Sequence, residues 1–125
     1  VPRIQLRELC ATRSGDKGDT VNIALFAYSA AAYAAIATEV TADRVAAHFG
    51  GLITGPVRRY EAPNVLALNF VARGALGGGG PRSLRSDNLG KTLGGALLRM
   101  AIDVPAQVAR SAPRRRPELS RYENG

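Results

Sequence analysis

Residues 75–92, ALGGGGPRSLRSDNLGKT, gather the groups from which an anion site is built: four consecutive glycines, three cations and two serines ahead of a helix-like run. Ordering a glycine costs about 0.5–1 kcal/mol more than ordering alanine, so an ordered run of four implies positive φ angles or the close approach of another group. A helix starting near Asp87 would add free N–H groups and a partial positive charge. Phosphate or carboxylate is the chemistry that fits, with Gly77, Gly78, Gly79, Gly80, Arg82, Ser83, Arg85 and Lys91 as ligand-binding residues. The competing reading is a glycine-rich turn with solvated arginines, in which Asp87 is only a helix cap. LGKT at residues 89–92 has the look of a P-loop ending, but Arg85 stands where that motif needs its first glycine, and the helix starts before the lysine. Nucleotide triphosphate hydrolysis is therefore not expected.

A second polar cluster, SGDKGDT at residues 14–20, holds Asp16, Lys17 and Asp19. It lacks the longer series ending in Glu that an EF-hand calcium loop requires. A structural turn is the simpler reading, since Asp, Thr20 and Asn22 can bond nearby backbone N–H groups. Asp16 and Asp19 are nonetheless the acid/base candidates, should one be desolvated, and Lys17 a candidate ligand contact. His48, the single histidine, sits near a helix C-terminus, where its charge interacts favourably with the helix dipole. Cys10 reads as a small core residue on an apolar strand. Asn69 is a mid-strand amide among Val, Leu and Phe; its burial without a partner would be costly, so it should bond across an interface, to a loop or to a ligand.

The elements that must position these groups fit one domain. The chain has 125 residues, 46% hydrophobic and 22% charged, enough for a core without disulfide or metal staples. A lone cysteine allows no intrachain disulfide and no usual zinc spacing, which fits the cytoplasm and calls for no metal or cofactor. No apolar run reaches membrane-spanning length. Of the net charge of +7, the tail from Arg110, with five arginines against two glutamates, carries +3 and the body +4, and the basic stretch over residues 106–125 reads as a flexible extension. With only 6% aromatic residues there are few stacking platforms, which argues against nucleic acid as partner.

IQLRELC at residues 4–10 alternates as a half-buried strand should, and VNIALFAY at 21–28 is apolar on both alternating sets. An Ala-rich helix follows over residues 29–39, and a second, capped by Thr41, runs over 42–49 to Gly50 and Gly51. VRRYEA at 57–62 and VLALNFVAR at 65–73 are strands separated by a Pro63–Asn64 turn, with Arg58 and Arg59 on opposite sides of theirs. A last helix, from Ser86 or Asp87 to about Met100, aligns Leu89, Leu93, Leu97 and Met100; Gly94 and Gly95 within it call for close packing in compensation. This order predicts an α+β, ferredoxin-like sandwich: a mainly antiparallel four-stranded sheet with helices on one face. The opposite face carries Val65, Ala67, Asn69 and Val71, too apolar for an open sheet, which predicts cover by another subunit.

Three blocks, RSGDKGDTVNIALFAY from residue 13, VRRYEAPNVLALNFV from residue 57 and ALGGGGPRSLRSDNLGKTLGGALL from residue 75, resemble the small C-terminal ferredoxin-fold domain of AtuA-type acyclic terpene utilisation proteins. The resemblance covers most of residues 13–98, within a domain of residues 1–105. In that family the small domain follows a much larger one, so this chain is expected to be a free-standing version or separate small subunit. The resemblance implies a setting in catabolism of branched acyclic terpenoids through acyl-CoA intermediates, as the small subunit of an acyl-CoA-processing enzyme. Partners would be a larger AtuA-like subunit, further copies of this chain, or both, with an acyl-CoA ligand. The alternative is a purely structural oligomerisation module.

Overall fold

The computed structural model describes residues 2–18, 20–73 and 89–111, with the side chains of Asp16, Lys17 and residues 89–92 outside the description. Its centre is a four-stranded antiparallel sheet in the order β2-β3-β5-β4, formed by β2 (Cys10–Lys17), β3 (Thr20–Ala27), β4 (Val57–Ala62) and β5 (Ala67–Ala72). Three helices, α1 (Ala30–Glu39), α2 (Ala42–Phe49) and α3 (Leu89–Leu98), pack on one face of it. This is the α+β, ferredoxin-like arrangement expected. A separate two-stranded ribbon, β1 (Arg3–Gln5) with β6 (Ala101–Asp103), adds Ile4 and Ile102 to the core and packs against α1, and is followed by α4 (Ala106–Arg110).

The first expected strand is displaced. Only Arg3–Gln5 is extended, and it pairs with β6; Leu6–Glu8 then form a 3-10 turn. Leu6 and Leu9 are both buried, and a spacing of three places them on one side of such a turn. The main sheet instead takes residues whose composition favours a loop: β2 runs through Ser14, Gly15, Asp16 and Lys17, each paired with β3. The apolar β3 supplies the ladder that imposes extension on this polar stretch, so pairing outweighs local preference. The turn itself falls between Lys17 and Thr20, where Gly18 has φ 65°.

The other elements sit close to their expected bounds. The Ser29 hydroxyl accepts from Ala32 N at 3.0 Å and that of Thr41 from Arg44 N at 3.1 Å, capping α1 and α2. β5 starts two residues late because Pro63–Val65 form a 3-10 turn and Leu66 adopts a left-handed conformation before the strand begins. The core lies between sheet and helices: Val21, Ile23 and Leu25 of β3 and Leu68 and Phe70 of β5 meet Ile36, Val45, Leu93 and Leu97. Gly94 packs closely as expected, since a methyl there would reach Thr12 at 3.4 Å, whereas at Gly95 it would meet nothing within 4 Å. The folded body continues past residue 105, because α4 buries Val108 and Ala109. A three-residue strand and a five-residue helix are too short to declare themselves by periodicity. Among the described residues no helix is long and apolar enough to cross a membrane.

Candidate functional site

Strand alternation and register divide the sheet into two chemistries. Toward the helices point Val21, Ile23, Leu25, Leu68 and Phe70, with Arg59 and Glu61 at the β4 edge. On the other side three rows cross the sheet: Gly15–Asn22–Val71–Arg58, Arg13–Ala24–Asn69–Tyr60 and Ala11–Phe26–Ala67–Ala62. No described helix or strand covers these rows. Phe26, Ala24 and Val71 are half-buried, while Tyr60 is 52% exposed.

Asn69 finds its partner within this face. Its Oδ1 accepts from Asn22 Nδ2 at 3.1 Å, along a diagonal between β3 and β5. The bond leaves the Asn69 NH2 donors and the Asn22 carbonyl without a side-chain partner among the described residues. Gly15 helps keep that carbonyl open, since a Cβ there would come within 3.3 Å of it.

At the β4–β5 end the face deepens into a cleft of about 370 Å³ lined by Pro56, Arg58, Tyr60, Val71 and Arg73. The backbone fixes its rim: Arg73 N donates to Pro56 O at 3.2 Å and Gly55 N to Arg73 O at 3.1 Å. Any Cβ at Gly55 would collide with the Arg73 carbonyl, so this approach is open only to glycine. Neither the Arg58 nor the Arg73 side chain has a hydrogen-bond or ion-pair partner among the described residues. Arg13 belongs to the opposite edge strand, about 14 Å away across three strand spacings.

The arginines facing the helices are occupied. Arg59 Nη1 donates to the carbonyls of Ala37 at 2.7 Å and Val40 at 3.0 Å, closing the C-terminal end of α1, and its Nη2 donates to Glu61. Arg44 bonds the Glu39 carbonyl and carboxylate and the Ala101 carbonyl, tying the α1–α2 junction to β6. His48 Nε2 lies 2.8 Å from the Ala96 carbonyl, so that nitrogen carries the proton and links α2 to α3. The Cys10 thiol is buried, bonds the Leu6 carbonyl at 3.3 Å, and is pushed up by burial from 9.0 to about 12, which keeps it a neutral core residue and no nucleophile.

Most residues singled out in the sequence are not among those whose side chains the structure describes. Gly77, Gly78, Gly79, Gly80, Arg82, Ser83, Arg85 and Asp19 lie outside the described residues. Asp16 and Lys17 are on β2 and Lys91 is on α3, with side chains outside the description. Only Asn69 is brought into a described polar arrangement, together with Asn22, a residue expected to serve a turn. Sequence reasoning misses Arg73 and the part played by Gly55; the signal available is an isolated glycine before Pro56, a mark of close backbone approach.

Among known families, the model of the AtuA ferredoxin-like domain matches residues 4–103. The chain belongs to that family. No curated protein and no solved structure matches it. The family match takes in the ribbon from its second residue and the whole four-stranded sheet, so the matched region includes the open face and its cleft. It marks the chain as an accessory domain of AtuA-type proteins.

Proposed function

We propose that this domain acts as a small accessory subunit in acyl-CoA-linked catabolism of branched acyclic terpenoids, assembling through the open face of its sheet and contributing there to the binding of an anionic substrate. The face that no described element covers carries the reading: Phe26, Ala24 and Val71 form an apolar strip flanked by Arg13 and Arg58, with no acidic side chain in its three rows. Half-buried apolar side chains beside cations that have no partner among the described residues suit a larger surface that is itself partly apolar and acidic. The natural candidate is the large AtuA-type domain. A purely structural homo-oligomer through this face would set Arg13 and Arg58 against the same arginines of a second copy, a like-charge juxtaposition that opposes assembly.

Size-exclusion chromatography with light scattering tests the docking, using this chain co-expressed with a large AtuA-type subunit. The expected result is a joint peak that Phe26→Asp abolishes while the circular dichroism of the chain is unchanged. A chain that stays monomeric in the presence of the large subunit, or that self-associates through this face instead, overturns the reading.

A further inference from the structure

We infer that the cleft at the β4–β5 end of the open face is an oxyanion site, in which Arg58 and Arg73 hold a phosphate or carboxylate group while the body of the ligand rests on Val71 and Tyr60. This goes beyond docking, because the ligand is small and the chain alone should bind it.

Charge is the first argument. Two guanidinium groups line one cleft, and no Asp or Glu is among its lining residues. Like charges held near one another repel, and here no partner among the described residues relieves them. Elsewhere in the same molecule Arg44 and Arg59 spend their donors on carbonyls and carboxylates. The planar fork of an arginine matches carboxylate and phosphate oxygens two at a time, so a pair of unspent forks makes a recognition element for either group.

Construction is the second. Arg73 is placed by backbone bonds in both directions, to Pro56 and from Gly55, and the Gly55 contact tolerates no side chain. Arg58 is placed by register opposite Val71, and Tyr60 opposite Asn69, so these three lining residues come from two hydrogen-bonded strands, and Arg73 follows directly on the end of β5. Sites on paired strands are held more firmly than sites on loops. Shape is the third: about 370 Å³ lies at the lower end of small-molecule pockets and suits a head group with a short body.

Nitrogen-15 NMR titration of the isolated chain at constant ionic strength tests the site, with sodium pyrophosphate and 3-methylbutanoate as separate probes. The expected result is saturable shifts concentrated at residues 56–60 and 71–73 with at least one probe. Affinity should fall about tenfold in Arg58→Ala and in Arg73→Ala, as for loss of a charged hydrogen bond, and stay within about twofold in Arg7→Ala, off this face. A response to pyrophosphate alone assigns phosphate, and one to 3-methylbutanoate alone assigns carboxylate. Should Arg73→Ala fail to fold, Arg73→Lys and Arg58→Ala carry the same test. Shifts that do not saturate with either probe, or an equal loss in Arg7→Ala, overturn the inference. No large subunit is present, so such a failure leaves the docking reading standing.

Discussion

Arg58 and Arg59 are adjacent on one edge strand, yet they belong to different chemistries. Arg59 turns toward the helices, where Ala37, Val40 and Glu61 take its donors; Arg58 turns to the open face, where no described residue does. The same contrast runs across the whole sheet. Phe70, facing the helices, is 1% exposed, while its neighbour Val71 is half-buried with no described element above it. Among the described residues, one face is finished as a core, and the other is left with apolar area and unspent hydrogen-bonding capacity. Strand parity thus separates side chains that fill the core from side chains that no described element covers, and substitutions at adjacent positions should report on different properties.

The sharpest way to break this comparison is at Phe70 and Val71. Phe70→Ala removes a fully buried ring from the centre of the core and should cost about 3–5 kcal/mol, read from urea unfolding. Val71→Ala should cost under about 1 kcal/mol in the isolated chain, because its side chain lacks cover on one side. Comparable losses at both positions would mean that the open face already contributes to the core. In the presence of a docked partner the contrast should narrow, since Val71 would then be buried as well.

The arginine pair offers a smaller effect with the same logic. Arg59→Ala leaves two carbonyls at the end of α1 without their donor and frees Glu61, an expected loss of about 1–3 kcal/mol. Arg58→Ala should stay within about 0.5 kcal/mol, as surface substitutions generally do. Equal midpoints for the two variants in thermal melts would show that Arg59 is as idle as Arg58, and the division by parity would fail.

Parity is legible in the residues themselves. The alternation of VRRYEA and VLALNFVAR assigns Leu68 and Phe70 to one side, Asn69 and Val71 to the other, and separates Arg58 from Arg59. Local signals also place α2 and its Thr41 cap, because a cap involves residues three apart. What the sequence does not disclose depends on distant neighbours. Arg59 meets Ala37 and Val40, and Asn22 meets Asn69, 47 positions away. Arg73 acquires its place from Gly55 only once β4 and β5 pair. The extended SGDK segment is hidden for the same reason: its residues favour a turn, and only the ladder from β3 makes them a strand.

The finest distinction concerns the amide pair. The Asn22–Asn69 bond at 3.1 Å is exposed and links two neutral groups, so water can replace either partner at little cost. A double-mutant cycle on Asn22→Ala and Asn69→Ala in the isolated chain should therefore give a coupling of at most about 0.5 kcal/mol, measured by urea unfolding. Covering the face changes the sign of the argument: a partner that buries the pair must satisfy the free NH2 of Asn69 and the free carbonyl of Asn22, and losing either amide then leaves an unpaired group at the interface. Each single substitution should thus weaken assembly with a large subunit more than it weakens the fold. A coupling above about 1.5 kcal/mol in the isolated chain would instead make the pair a latch between β3 and β5, and the open face would share the structural work that its exposure denies it.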